Sequence, residues 1–396
     1  MKKTKFFLLG LAALAMTACN KDNEAEPIVE TDATVSFIIK AGSPQRETEP
    51  NSLLDSDAKI TKLTAMVYAG QVQEGIKTVE DADNVLKVEG IKCKSGANKV
   101  LVVVANYDKN AGGDAIDFTG KTLDQVKAMT IQLTQDNQSA KFLIMTGESN
   151  AFTIKPGTNY YGYPAGTGTT QDNLIETGNA LKVTRVHAAM SIQNVTVTFD
   201  PQYSSNYYFK PQNVAGLICK KQSKIFGASL DFGTDYLGGV ATTAAAYTPT
   251  TSYDNNVSWL TKPYAAKAGF YIMESVYQVG NNLRPTILCV YGKLKKTETQ
   301  DFSQEELDAA MAAGYCDGNA ITYYPVLVNY NGYGYTYTGE NTGLNKILRN
   351  NHYKISLTVK GPGTNTPEGP LPEEANLNVN CEVVSWNVVN QSAIWN

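Results

Sequence analysis

The amino-acid sequence predicts an all-β protein with a few short helices, and three observations support this fold class. Only 18% of the residues are charged, whereas 32 are glycine and 23 are tyrosine, a composition typical of strands joined by many turns. Several segments alternate apolar and polar residues, which is the period of a half-buried strand. The chain has 396 residues, more than one compact core usually needs, so we expect two domains.

The N-terminus has the pattern of an export signal. Lysines at positions 2, 3 and 5 precede an apolar run over residues 6–16, which ends at the small pair Thr17-Ala18. This run is too short to span a bilayer as a helix, and the pattern predicts a signal peptide over residues 1–18. Residues 16–19 resemble a bacterial lipobox, so Cys19 is predicted to receive a lipid and to hold the exported precursor on the cell outer membrane. A plain secretory signal that contains a cysteine is the alternative.

The first predicted strand covers residues 34–40. Val35, Phe37 and Ile39 occupy every second position of this segment and therefore share one face. A polar loop over residues 42–50 follows and contains Arg46. The first domain continues with strands predicted at 60–68, 100–105, 141–146 and 151–155 and with a helix at 122–129. The run 100–105 is continuously apolar, as expected of a central strand that is covered on both faces.

A second domain is predicted over residues 181–360. Its strands are predicted at 181–186, 188–192, 195–199, 269–276, 286–293, 321–328 and 353–359. A helix is predicted at 303–312, because Ser303 and Glu306 have the spacing of a capping box.

A linker and a terminal strand region follow the second domain. Residues 361–375 contain four prolines and predict an extended linker that can reach roughly 45 Å. Residues 376–396 return to a strand pattern, with changes of phase at Val383-Val384 and again at Val388-Val389 that predict a bulge or a bend between two short strands. The apolar positions are Leu377, Val379, Cys381, Val383, Val384, Trp386 and Val388. Such a strand needs a groove, which can belong to the same molecule or to a neighbouring one.

The sequence contains no pattern of a catalytic, cofactor-binding or metal-binding site. Its two histidines, His187 and His352, lie far apart in the chain, which excludes a histidine-rich metal centre and disfavours a serine–histidine–aspartate triad. No nucleotide-binding glycine motif and no zinc-protease motif occurs. The net charge of −4 provides no basic surface for nucleic acid. We therefore expect a protein that is not an enzyme, with no cofactor, no metal and no nucleic-acid partner.

The remaining cysteines and tyrosines fit a structural protein. Five cysteines besides Cys19 show no regular spacing, so we expect no disulfide framework and at most one bridge. They are Cys93, Cys219, Cys289, Cys316 and Cys381. Tyr333, Tyr335 and Tyr337 alternate and would share one strand face. Packing across a neighbouring strand explains them, and a stacking surface for a glycan is the less favoured alternative.

Several segments resemble the fimbrillins, the lipoprotein pilins of type V pili. Tyr324-Pro325-Val326, the run ILRNNHYKI at 347–355, the proline-rich linker and Val383-Val384-Ser385-Trp386 keep the order and spacing of a fimbrillin ending. Residues 102–106 and 185–192 are similar to the central strand of the family's first domain and to the start of its second domain. Together with the lipobox, the resemblance covers nearly the whole chain.

The resemblance implies two tandem transthyretin-like β-sandwich domains and a specific maturation. The family is exported as a lipoprotein and is cleaved after an arginine by an arginine-specific protease, which in this chain places the cut between Arg46 and Glu47. Residues 19–46 would then be a lipidated propeptide that contains the displaced strand with Val35, Phe37 and Ile39. Residues 47–180 would form the first domain, and residues 376–396 would be donor strands for a neighbouring subunit.

The resemblance therefore predicts a structural subunit of a cell-surface fimbrium, or pilus, that supports adhesion and has other fimbrial subunits as its partners. Two alternatives stay open. One is an anchor or tip subunit, which keeps its first strand or never donates its last. The other is a monomeric surface lipoprotein that binds a glycan and folds its terminal strands onto its own core. The sequence does not predict the adhesive ligand.

Overall fold

A computed structural model of the chain shows two β-sandwich domains in tandem. It describes residues 30–41, 59–81, 85–108, 115–134, 138, 143–168, 173–228, 230, 236–238, 259–276, 285–330, 336–339, 344–367 and 377–385. The predicted all-β fold with a few short helices is confirmed. In these ranges no helix is both long enough and apolar enough to cross a membrane.

The first domain is built mainly around one large sheet. Its elements are β1 (Asp32–Ala41), β2 (Lys62–Ala69), β3 (Val72–Glu80), β4 (Lys87–Lys94), β5 (Gly96–Ala105), α1 (Leu123–Lys127), β6 (Thr130–Gln132), β7 (Met145–Glu148), β8 (Phe152–Ile154), β9 (Gly157–Tyr161), β10 (Leu174–Ile175) and β11 (Leu181–Arg185). The strands run in the order β10-β9-β1-β11-β7-β5-β2-β3, with β4 paired to β1 and β8 paired to β5.

The central strand β5 is covered on both faces, as its continuous apolar run predicted. Leu101 and Val103 lie in a core that also contains apolar side chains of β1, β2 and β4. Val102 and Val104 lie in a second core, together with the buried side chains of α1. The strand β1 therefore belongs to one of the two layers that enclose the first core.

The second domain contains two main sheets. Its elements are β12 (Ala188–Val197), α2 (Pro201–Ser204), β13 (Tyr208–Phe209), β14 (Asn213–Leu217), β15 (Cys219–Lys220), β16 (Gln222–Lys224), β17 (Tyr236–Leu237), β18 (Leu260–Pro263), β19 (Gly269–Ile272), β20 (Ser275–Val276), β21 (Ile287–Lys295), α3 (Gln304–Ala312), β22 (Ile321–Leu327), β23 (Thr336–Gly339), β24 (Lys346–Ile347), β25 (Asn351–Val359) and β26 (Leu377–Ser385). One sheet has the order β19-β12-β25-β26-β23, and the other has β13-β21-β14-β18 with β22 paired to β21.

Two of the helices begin where their sequences predict. The Thr122 hydroxyl accepts a hydrogen bond from the Gln125 N–H, and the Gln125 side chain accepts one from the Thr122 N–H. Ser303 and Glu306 form the same reciprocal pair at the start of α3. Each pair satisfies two backbone donors that a helix start otherwise leaves open, which confirms the helices predicted at 122–129 and 303–312.

A short ladder joins the two domains, and a buried ion pair within the second domain supports it. β6 of the first domain pairs antiparallel with β16 of the second. The Arg349 guanidinium donates to the Glu274 carboxylate and to the carbonyls of Lys224 and Ile225. Glu274 is buried, so this ion pair holds β16 in the position that pairs with β6.

The strand β11 lies in the first sheet, although the boundary at residue 181 assigned it to the second domain. It pairs with β1 and β7, and the second domain's sheet begins with β12 at Ala188. The alternation of β11 identifies a strand but contains no information about which sheet the strand joins.

The bulge predicted between Val383 and Val384 is absent from β26. This strand pairs residue for residue with β25, from Leu377 opposite Val359 to Ser385 opposite Asn351. Asn351, His352 and Tyr353 are all buried, so this end of the sheet is covered on both faces. Two successive valines are therefore compatible with a regular ladder, and the second phase change, at 388–389, lies outside the described residues.

Candidate functional site

The first strand, which the sequence singled out, lies in the interior of the first domain's sheet. β1 pairs antiparallel with β4 along one edge, from Asp32 opposite Lys94 to Ile38 opposite Lys87. Along its other edge it pairs parallel with β9 and then with β11. Among the described residues, β4 pairs with no strand except β1. Removal of β1 would therefore leave a groove lined by unpaired backbone groups of three strands.

Alternate side chains of β1 fill the core of the first domain. Val35 and Phe37 have no exposed surface, and Ala33 and Ile39 are each 5% exposed. Val35, Phe37 and Ile39 are the residues whose spacing placed them on one face. Burial of a side chain of this size stabilises a protein by about 1.5 to 3 kcal/mol, so β1 contributes several kcal/mol to the first domain.

Side chains outside β1 also hold its backbone. The amide of Asn159, buried on β9, donates to the carbonyl of Thr34 at 3.2 Å. The Ser95 hydroxyl accepts from the Thr31 N–H at 2.9 Å, and the Ser95 N–H donates to the Thr31 carbonyl at 2.8 Å. Because these contacts involve only backbone atoms of the strand, they are available to any extended segment in the groove.

Ion pairs surround the start of β1. Lys94 donates to Asp32 at 2.5 Å, and this hydrogen bond lowers the pKa of the Asp32 carboxyl. The pair is exposed, so it contributes little to stability. Lys99 is buried and lies 2.6 Å from Glu74 and 3.6 Å from Glu30. Departure of the N-terminal segment would remove Glu30 and leave Lys99 paired with Glu74.

A bulge in β4 lies opposite the middle of β1. Val35 is opposite Ile91 and Phe37 is opposite Val88, so β4 has one more residue than β1 in this stretch. Gly90 lies in the bulge with a φ of +68°, which glycine adopts without strain. Its N–H donates to the hydroxyl of Ser36 at 2.9 Å. Ser36 therefore satisfies a backbone donor at the centre of the groove.

The C-terminal strand occupies an interior position in the second domain. β26 pairs antiparallel with β25 and parallel with β23, and within the described ranges β23 pairs with no other strand. Val379 and Cys381 are buried and belong to the apolar core. The terminal strand of this chain thus lies on its own second domain.

The first part of the predicted linker is attached to the second domain. The Tyr324 hydroxyl donates to the Gly361 carbonyl at 3.0 Å. Tyr323 and Thr364 exchange two backbone hydrogen bonds of 3.0 and 2.9 Å. A Cβ on Gly363 would lie 2.2 Å from the Tyr323 carbonyl oxygen, so this close approach requires glycine. Residues 368–375, the remainder of the linker, lie outside the described residues.

Several predicted site residues lie outside the described residues or are described only in part. Cys19, Arg46, Glu47, Trp386, Val388, Tyr333 and Tyr335 belong to the first group. Leu377, Val383, Val384 and Tyr337 are described through their backbone. Cys93, Cys219, Cys289, Cys316 and Cys381 are buried thiols.

Three contacts of β1 were not predicted from the sequence. Gly90 had a usable signal, because an isolated glycine within a strand often marks a bulge. Ser95 and Asn159 had none, since each is a common polar residue whose partner lies far away in the chain. These residues are recognised only when the fold brings them to the same strand.

The two domains match two known family descriptions. Residues 33–185 match the major fimbrial subunit protein, FimA, and residues 187–386 match the FimA4 pilin C-terminal domain. The chain belongs to the major fimbrial subunit family. The two matches meet between β11 and β12, where the structure changes from the first sheet to the second.

Individual relatives agree with this assignment over the full length. A Porphyromonas gingivalis protein described as major fimbrium subunit FimA type-5 is 99% identical over 396 residues, with 100% of both chains covered. Major fimbrium subunit FimA type-4 of the same species is 60% identical over 404 residues, again with 100% of both chains covered. A crystal structure of a fimbrilin from Porphyromonas gingivalis W83 is 55% identical and has a TM-score of 0.78, covering 91% of this chain and 99% of that one.

Proposed function

We propose that this chain is a structural subunit of an adhesive cell-surface fimbrium and that copies of it join by exchange of β-strands. The observation that supports this proposal most directly is the position of β1. It is an interior strand with both edges paired, and residues 42–61 connect it to β2. A cut in this segment would turn β1 into a separate peptide that other contacts alone hold in the sheet.

The precursor stage follows from the N-terminal sequence. The chain would be exported with its signal peptide and anchored to the outer membrane through a lipid on Cys19. An arginine-specific protease would then cut between Arg46 and Glu47, and residues 19–46 would be lost with β1. The lipid would thereby belong to the precursor, and the mature subunit would be held at the surface by its neighbours in the fimbrium.

The exchange would transfer the donor segment of one copy, residues 376–396 with β26, into the groove that β1 leaves in another copy. The transferred strand would restore ladder partners for β4, β9 and β11 and refill the apolar positions of the first core. Departure of β26 would expose the apolar surface that Val379 and Cys381 cover in its own second domain, which costs free energy. The strand therefore stays on its own domain until a neighbouring copy offers an open groove.

The names of the relatives favour a shaft subunit over an anchor or tip subunit. Proteins 99% and 60% identical to this chain are described as major fimbrium subunits. The partners would accordingly be further copies of the same chain and the subunits that begin and end the fimbrium.

Replacement of the arginine at the proposed cut tests maturation. Cells that carry Arg46→Ala should lose the high-molecular-weight ladder seen on gels of unboiled fimbriae, because β1 stays covalently attached. Arg284→Ala, which removes a different arginine, should leave the ladder intact. N-terminal sequencing of the surface protein should give Glu47 as the first residue of the unsubstituted chain. Unchanged ladders from Arg46→Ala would exclude cleavage at this bond.

The folded-back position of β26 also suits a second candidate, a monomeric surface lipoprotein. Deletion of residues 377–396 separates the two functions. In a strand-exchanging subunit the deletion abolishes ladders and leaves a first domain that still accepts strands from intact copies. A truncated chain that behaves as the full-length monomer and still binds a glycan would favour the second candidate.

A further inference from the structure

The groove around β1 has a specific chemical requirement at its centre. The Gly90 N–H donates to the Ser36 hydroxyl at 2.9 Å, and Ser36 is only 5% exposed. The residues on either side, Val35 and Phe37, have no exposed surface. An occupant that reproduces these contacts must therefore present a small hydrogen-bond acceptor between two apolar side chains.

The C-terminal segment of the chain repeats this order of residues. Val35-Ser36-Phe37-Ile38-Ile39 corresponds to Val384-Ser385-Trp386-Asn387-Val388. Three of the four inward positions of β1, Val35, Phe37 and Ile39, are matched by apolar residues, whereas the fourth, Ala33, lies outside the matched segment. The aromatic position is matched by an aromatic residue and Ser36 by an identical residue. Ile38, on the outward face, is half-buried and is matched by a polar residue.

We propose that residues 384–388 of a second copy take the places of residues 35–39, in the same direction along the chain. Trp386 fills the place of Phe37, Val388 that of Ile39, and the hydroxyl of Ser385 accepts the hydrogen bond from the Gly90 N–H. The inference rests on the proposed function, because β1 must leave before another strand can enter. The bond to Gly90 then selects the register and direction of the incoming strand.

Apolar alternation alone does not define this direction. Val384, Trp386 and Val388 are spaced symmetrically, so a strand inserted the opposite way around Trp386 would bury the same three side chains. It would place Asn387 at the position of Ser36, next to the Gly90 bulge, and Ser385 at the position of Ile38. The asparagine side chain is larger than the buried serine that it would replace, and a slip by one residue would turn every apolar side chain outward.

Two pairs of engineered cysteines distinguish the directions. Lys87 is exposed and lies opposite Ile38. Asn387 takes the place of Ile38 in the proposed direction. In the reverse direction Val389 takes the place of Thr34, which lies opposite the exposed Lys92. Residues opposite each other on antiparallel strands have Cβ atoms about 4.5 to 5.5 Å apart, close to disulfide geometry. Mild oxidation of assembled fimbriae with Lys87→Cys and Asn387→Cys should give a covalent ladder after boiling without reductant, and Lys92→Cys with Val389→Cys, which leaves Ser385 in place, should give single subunits.

The outcomes separate this inference from the proposed function. A covalent ladder from the Val389→Cys pair alone overturns the direction. The register is overturned if neither pair gives a covalent ladder after boiling although the same fimbriae still show a ladder in unboiled samples. If the unsubstituted chain shows no ladder even in unboiled samples, the proposed function itself fails.

The hydrogen bond to Gly90 has a separate test. Gly90 is exposed, so water can partly replace the lost acceptor. We expect Ser385→Ala to accelerate dissociation of subunits from fimbriae about two- to twelvefold, which corresponds to about 0.5 to 1.5 kcal/mol for one hydrogen bond. Asn387→Ala should leave the rate unchanged. An unchanged rate for Ser385→Ala, or an equal effect of Asn387→Ala, overturns the role assigned to the serine.

Discussion

Phe37→Ala should destabilise the precursor and leave the assembled fimbrium unaffected. Phe37 has no exposed surface and lies in the core of the first domain. Truncation of a buried phenylalanine to alanine costs about 3 to 5 kcal/mol, because apolar contacts are lost and a cavity remains. For a domain of this size, each kcal/mol lowers the melting temperature by about 2 to 4 °C. We therefore expect the first domain of the uncleaved precursor to melt roughly 6 to 20 °C lower.

The assembled form differs because β1 is absent from it in the proposed scheme. The temperature at which fimbriae dissociate should be the same for Phe37→Ala and for the unsubstituted chain. Calorimetry of the purified precursor and gel analysis of heated fimbriae measure the two quantities. Phe270→Ala provides the matched control, since Phe270 is equally buried in the second domain and stays in the chain after cleavage, so it should weaken both forms.

Two results would refute this reasoning. A precursor whose melting temperature falls by less than about 2 °C would contradict the burial of β1 in the isolated chain. Fimbriae that dissociate at a lower temperature in the Phe37→Ala variant would show that β1 remains in the assembled subunit, and they would exclude strand exchange at this groove.

Three further predictions concern the described residues. Arg349→Met should destabilise the chain by about 3 kcal/mol in urea unfolding, because it leaves the buried Glu274 carboxylate without its partner, and the additional change Glu274→Leu should restore most of the loss. Burial and the nearby Arg349 lower the pKa of His187 to about 3, against roughly 6.5 in an unfolded chain. The contribution of neutral His187 to the free energy of unfolding is therefore complete above pH 6.5 and declines as the pH falls towards 3. His187→Gln should reduce this decline in acid titrations followed by circular dichroism. Burial raises the pKa of Cys93 and of Cys316 to about 11, so a thiol reagent at pH 8 should leave these two residues unlabelled in the native chain and modify them rapidly in urea; rapid labelling of either residue in the native protein would contradict the buried positions.

The sequence predicted the elements whose signal is local. The capping boxes at Thr122 and Ser303 define helix starts through residues only three positions apart. The alternation in β1 identified its buried face, and the apolar run of β5 identified a central strand. In each case the residues that define the element are close neighbours in the chain.

The missed elements depend on contacts between distant residues. β3 and β4 carry several charged residues, and much of β3 is exposed, so their periodicity gave no prediction. The glycine and proline content of residues 361–367 predicted an extended spacer. The structure attaches these residues to β22, because the same composition permits a close approach to Tyr323. The pairing of Gly90 with Ser36 joins residues 54 positions apart, which single-sequence patterns do not connect.

The attachment of residues 361–367 also determines where mechanical load enters a subunit. If the terminal strand is held by a neighbouring copy, tension along the filament reaches the second domain at the contact between Thr364 and Tyr323. From β22 the load passes to β21, whose ladder with β22 runs from Ile287 to Lys293. The joint between copies and this small contact then bear the same force in series. If the contact yields first, residues 361–367 straighten and the load passes to β25, with which they are continuous, so the joint between copies sets the tension that the filament withstands.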